Sequence, residues 1–185
     1  IALGNLTSLH IRAQVDEEDL PDLKPGAKAI ARLRGSRDIT VPLTMLRIEP
    51  LAHFPIERDL VTAPDDFMEK LKRVKPYLIP KEKKSLSDGE HRQTPAQLMK
   101  FRQYSMCINC MLCYAACPEY GLDPEFVGPA ALTLAHRYNQ DSRDGGRLAR
   151  QEVVATHEGV WTCTFVGACS EVCPAHVDPA SALQQ

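Results

Sequence analysis

All seven cysteines of this 185-residue chain lie in its second half, in two runs. The first reads Cys107-Ile-Asn-Cys110-Met-Leu-Cys113-Tyr-Ala-Ala-Cys117-Pro118, and the second Cys163-Thr-Phe-Val166-Gly-Ala-Cys169-Ser-Glu-Val-Cys173-Pro174. Thiolates at C-x2-C-x2-C-x3-C-P spacing are iron–sulfur ligands, since so tight a loop brings several sulfurs to one group of irons. The second run repeats the spacing of the first, with Val166 where the middle cysteine would stand. Zinc fits poorly, because its four Cys or His ligands usually come as two separated C-x2-C pairs. Disulfides fit less well still, because the count is odd and the tight spacing favours metal.

In paired runs of this kind the fourth cysteine of each crosses to the other cluster, because three thiolates on one loop can cap only three irons. Cys107, Cys110 and Cys113 with Cys173 then form a complete four-thiolate set for [4Fe-4S]. Cys117, Cys163 and Cys169 supply only three, and a valine cannot bind iron. The expectation for the second site is therefore [3Fe-4S]. One alternative stays open: Val166 is a packing residue beside a fourth iron with another ligand, such as water.

The elements that position these runs read as helices. Beyond Pro50 the apolar period lengthens from two to about 3.6. Phe67, Leu71 and Val74 share one helix face, opened by Thr62-Ala-Pro64-Asp65, a stretch that resembles a capping box. Thr94-Pro95 opens a second helix carrying Leu98 and Phe101 towards the first run. Asp123-Pro124 and Gly128-Pro129 punctuate a third, whose Ala131, Leu134, Ala135 and Tyr138 are placed to pack on the cluster region. Lys70 to Lys84 holds seven basic residues and reads as a solvated face or a docking surface. Leu86-Ser-Asp-Gly89 reads as an exposed loop.

Before Pro50 the period is two: Leu9, Ile11, Ala13 and Val15 alternate with polar residues, then Ala27, Ala29, Ala31 and Leu33 after a Pro25-Gly26 turn, then Ile39, Val41 and Leu43. These predict short antiparallel strands, part of a small barrel. No cysteine falls among them, and His10 reads as a surface strand residue. The fold class expected is α+β: a small antiparallel segment over 1–48, then a mainly α-helical two-cluster domain over 49–185.

A net charge of −2 gives no strong electrostatic case for nucleic acid. No run of eighteen apolar residues occurs, so no membrane-spanning helix is expected. Unpaired thiols, oxygen-sensitive clusters and the lack of a visible secretory signal favour a reducing compartment, the cytoplasm. The start at Ile1 and the stop at Gln185, just after the helix-start signal Asp178-Pro179, read as a fragment.

Residues from about 45 to 185 resemble the C-terminal helical ferredoxin-type domain of the iron–sulfur subunit of fumarate reductase and succinate dehydrogenase. The resemblance is carried by Phe54-Pro-Ile-Glu-Arg-Asp-Leu60, Gln93-Thr-Pro-Ala96, the first cysteine run and Pro124-Glu-Phe-Val-Gly-Pro129. It continues through His136-Arg-Tyr-Asn139, Asp141-Ser-Arg-Asp144, Trp161-Thr-Cys-Thr-Phe-Val-Gly-Ala-Cys169 and Val177-Asp-Pro179. It implies an electron-transfer subunit, peripheral on the cytoplasmic face of the inner membrane, between a flavoprotein subunit and membrane anchor subunits with quinone. The flavoprotein interconverts fumarate and succinate, so no catalytic residue is expected on this chain. The family's quinone lies beside the three-iron cluster, against residues that map to Pro118, Leu122, Thr164, Val166 and Gln184. Ubiquinone-using members commonly carry Trp and His at the positions of Leu122 and Thr164, which leans this chain towards menaquinone. Trp161, the only tryptophan, reads as cluster-shielding packing.

The chain departs from that family in lacking the N-terminal [2Fe-2S] cysteines, since none precedes Cys107. The family's last helix also runs on past the position of Gln185. Residues 1 to about 48 resemble instead the β-barrel region of efflux-pump periplasmic adaptors, through Leu3-Gly-Asn-Leu6, Leu9-His-Ile-Arg12, Pro25-Gly-Ala27, Leu33-Arg-Gly35 and Arg47-Ile-Glu-Pro50. That implies a chimera or an assembly artefact. Two other classes of function stay open: an adaptor-like binding module with a cysteine-rich passenger, and an iron–sulfur or zinc protein used for structure or sensing.

Overall fold

The computed structural model describes residues 49–185 throughout and, before them, only the backbone of two strands, β1 (Lys28–Arg32) and β2 (Thr40–Thr44). These pair antiparallel, with Lys28 opposite Thr44 and Arg32 opposite Thr40. The expected strand around Leu9 to Val15 lies outside the described residues. The chain divides into two compact units, 1–48 and 49–185.

The second unit opens with a short antiparallel hairpin, β3 (Ile56–Arg58) and β4 (Val61–Thr62). Helices follow: α1 (Asp65–Arg73), α2 (Pro95–Met99), α3 (Leu112–Ala115), α4 (Pro118–Leu122), α5 (Pro129–Asn139), α6 (Arg147–Val154), α7 (Ala168–Glu171) and α8 (Pro179–Gln184). Single 3-10 turns occupy Leu86–Asp88, Gln103–Met106 and Val160–Thr162. Most of the helices are short because Pro and Gly punctuate the chain every ten residues or so.

Local signals explain several ends. Thr94 caps α2, its hydroxyl accepting from Gln97 N at 3.2 Å while Gln97 Oε1 accepts from Thr94 N at 2.9 Å. Asp178 caps α8 by accepting from Ser181 N at 3.0 Å. The capping box expected from Thr62 does not form: Pro64 occupies the cap position of α1 and no side chain caps it. Its first-turn Asp65 and Asp66 and last-turn Lys72 and Arg73 complement the helix dipole instead.

Phe67, Leu71 and Val74 are buried, as their spacing predicts. The third predicted helix, α5, is buried nearly all round, from Pro129 to Thr133 and again at Ala135 and His136. Leu134 and Tyr138, placed by the sequence on its packing face, are only half-buried. A one-faced reading fails here because α1, α3, α6, α8 and the Gln103–Met106 turn all pack against this helix.

Tyr114, on α3, pins the aromatic core. It meets Phe67 and Tyr120 edge-on, with ring centroids 5.2 and 4.8 Å apart. Its buried hydroxyl donates to Val127 O at 2.8 Å, where the chain enters α5. Gly128 is required at that entry: its φ is +92°, and a Cβ would stand 2.1 Å from the Tyr114 ring.

Candidate metal centres

Each cysteine run follows a 3-10 turn, loops through its first two positions and carries its third, Cys113 or Cys169, in a four-residue helix, α3 or α7. Both loops contain left-handed residues at matching places: Asn109 (φ 58°) and Met111 (φ 63°) in the first, Phe165 (φ 57°) and Gly167 (φ 81°) in the second. Alternating right- and left-handed backbone points successive N–H groups into a concavity, the arrangement that binds anions and iron–sulfur groups. Phe165 N donates to Cys163 Sγ at 3.4 Å.

Two cavities result. Cys107, Cys110, Cys113 and Cys173 line the first, together with Ala130, Thr133 and Pro179. Cys117, Cys163 and Cys169 line the second, and Val166 lines it with them. The fold thus brings Cys173 to the first run's cavity and Cys117 to the second's. Small residues at the starts of α5 and α8 form the walls: Ala130 and Pro179 face the first cavity, Pro129 and Ala180 the second.

The donor set suits a group with several metal ions. Among the described residues, no three His, Cys, Asp or Glu side chains converge as a site for one ion. A polynuclear cluster makes a different demand, because each thiolate binds its own iron. Burial pushes the Cys113 thiol well up, and the charges of Cys107 and Cys110 add to this. Burial also raises Cys107 and Cys117, partly opposed by backbone N–H groups of Asn109 at the first and of Tyr120 and Glu119 at the second. Cys169 is pushed up to about 11, by burial first and by Cys117 next. Metal must therefore displace protons from these thiols, and its positive charge reverses the repulsion between them.

Residues 103–177 match the family model of the 4Fe-4S dicluster domain. The cysteine-bearing region is therefore of iron–sulfur type. The chain is 59% identical to the fumarate reductase iron-sulfur subunit of Haemophilus influenzae, over 76% of this chain and 59% of that protein. It is 36% identical to the mitochondrial succinate dehydrogenase [ubiquinone] iron-sulfur subunit 2 of Oryza sativa, over 85% of this chain and 51% of that one. The chain thus spans between half and three-fifths of the length of these relatives. Its fold resembles a chain of the Mycobacterium smegmatis Sdh1 complex in the apo form, with a TM-score of 0.62 and 24% identity, over 80% of this chain and 59% of that chain. These matches lend the adaptor-like reading of residues 1–48 no support.

Of the five residues that the resemblance places against quinone, Pro118, Thr164 and Val166 line the second cavity of the dicluster domain, whereas Leu122 and Gln184 do not. Leu122 ends α4 with its side chain 80% exposed, and Gln184 is exposed at the last helical position of α8. Trp161 departs from expectation: it is 73% exposed and shields nothing. It lies in the Val160–Thr162 turn, and Phe165 and Val166 a few residues on are exposed as well. Sequence reasoning passed over Glu119, whose Oε1 accepts from Thr164 Oγ1 at 3.0 Å. It also passed over the left-handed residues, of which only Gly167 and Asn109 are types that favour that conformation.

Proposed function

We propose that the chain is an electron-transfer iron–sulfur subunit of a fumarate reductase or succinate dehydrogenase type of complex, relaying electrons between a flavoprotein subunit and membrane quinone. The observation that carries this reading is the sorting of seven thiols into two adjoining cavities, four in one and three in the other, with the last cysteine of each run exchanged. Cys107, Cys110, Cys113 and Cys173 hold [4Fe-4S] in this reading, and Cys117, Cys163 and Cys169 hold [3Fe-4S]. Bound iron–sulfur clusters supply one-electron transfer, and the protein's part is to place and tune them. The backbone nests and half-buried thiols do this by presenting N–H groups to sulfur and limiting water.

The higher identity to a fumarate reductase subunit than to a ubiquinone-linked dehydrogenase subunit supports the fumarate reductase subtype, and Leu122 and Thr164, where Trp and His are not present, lean the reading towards menaquinone. Quinone is placed beside the second cavity, against Pro118, Thr164 and Val166, with Leu122 and Gln184 at its margin. The exposed apolar side chains Leu122, Trp161, Phe165 and Val166 suit contact with membrane anchor subunits at the cytoplasmic face of the inner membrane. Residues 49–185 act as the cluster-binding domain, and residues 1–48 stand where relatives carry their [2Fe-2S] domain.

Electron paramagnetic resonance of anaerobically purified chain, with an iron count, tests the reading. A near-isotropic signal when oxidised and a second species after dithionite are expected. Iron-free, silent protein would refute it.

A further inference from the structure

The two cavities differ in charge as well as in thiol count. Apart from thiols, the first is lined by apolar residues with Asn109 and Thr133, and no charged side chain among the described residues lines it. Among the described residues the second has one charged lining residue, Glu119, in the first turn of α4. Glu119 also bonds to Thr164, the residue after Cys163. The two come from different cysteine runs, and both line the cavity along with Val166. Their hydrogen bond therefore ties the two ligand-bearing segments together beside the position that lacks a cysteine.

Resting on the cluster reading of the second cavity, we infer that Glu119 is the tuning and positioning residue of that site: its carboxylate makes the site harder to reduce, and its bond to Thr164 holds the ligand loop in place. The physical basis is direct. A cluster gains negative charge on reduction, so a fixed negative charge beside it opposes that step and lowers the potential. The same charge acts more weakly on the first cavity, which Glu119 does not line and which therefore lies farther from it.

The test is a redox titration of cluster-loaded chain, following each paramagnetic signal separately. Glu119→Gln keeps an oxygen acceptor for Thr164 and removes the charge. It is expected to move the midpoint of the second-site signal upward, more at low ionic strength, while the first-site midpoint stays in place. Glu119→Ser is a second neutral variant and requires the same upward direction. Thr164→Val leaves the charge and removes the bond; it is expected to broaden the second-site signal without the upward shift.

An unmoved or lowered second midpoint in Glu119→Gln, or equal shifts at both sites, overturns the tuning role. So does loss of the second cluster from both neutral variants, which would make Glu119 structural only. An unchanged line shape in Thr164→Val overturns the positioning role. Absence of both clusters from the unsubstituted chain is a different failure, since it removes the cluster reading itself.

Discussion

Replacing Arg150 by Met tests how α6 is held against α5 and the segment after α1. Arg150 is fully buried on α6 and makes five hydrogen bonds. Two go to Asp144, at 2.7 and 2.9 Å, as a bidentate pair. The others reach Lys75 O, Tyr77 O and Asn139 Oδ1, so one guanidinium joins α6, α5 and the segment after α1. Met fills much of the same space, which keeps the cavity cost small, but it strands the carboxylate of Asp144. Ile79 N and Gly146 N still donate to that carboxylate, at 2.9 and 2.6 Å, so it is not left bare. Removing one member of a buried ion pair costs about 3–5 kcal/mol, and the two remaining donors favour the lower end. At roughly 3–5 °C per kcal/mol for a unit of this size, the melting temperature should fall by about 10–15 °C.

The assay is anaerobic thermal unfolding of the cluster-loaded chain by circular dichroism, alongside the double variant Asp144→Asn, Arg150→Met. The double variant should be the more stable of the two, because it no longer buries an uncompensated charge. The pH dependence follows with its sign. Desolvation raises the Asp144 carboxyl, but Arg150 and the backbone donors outweigh it and hold it below its ordinary value. The parent therefore loses this stabilisation as pH falls below about 3.8, through the lowered pKa of the folded state. In Arg150→Met that acid-dependent loss should shrink. A deficit below about 1 kcal/mol, the range of an exposed ion pair, would refute the reasoning.

Val166→Cys should convert the second site to [4Fe-4S], read as loss of the oxidised three-iron signal and a gain in iron; Val166 is 62% exposed, so the change disturbs little packing. A persistent three-iron signal would show that Val166 is not what limits the site. Cys173→Ser should abolish the first cluster although it lies in the second run, and loss of the three-iron signal alone would overturn the crossover. His136 is buried on α5, against Tyr104 at 4.8 Å, with Nε2 unbonded, and burial lowers its pKa. Its contribution to stability should be present above pH 6.5 and fade as pH falls below it, and His136→Leu should flatten that part of a stability–pH profile.

How much of this was legible in the sequence depends on the range over which each feature is determined. The division of the cysteines between two cavities is legible because thiolate spacing is a local feature, set within a dozen positions. Helix starts at Thr94-Pro95 and Asp178-Pro179 are equally local, since a side chain and a proline suffice to specify them. Thr62 failed as a cap because Pro64 takes the cap position itself, a choice between neighbours that the capping pattern does not rank. The all-round burial of α5 was hidden for another reason: its alanines carry little hydrophobic signal, yet their small size lets four other helices and a 3-10 turn approach. Trp161 was misplaced because the direction of a side chain on a 3-10 turn depends on how that turn docks, which spacing does not encode. The Glu119–Thr164 bond is the extreme case. Its members lie 45 positions apart, one beside each cysteine run, and no spacing rule pairs them. The contact hardest to foresee thus lies at the cavity that Cys117 shares with the second run, and the charge of Glu119 enters that cavity's lining with it.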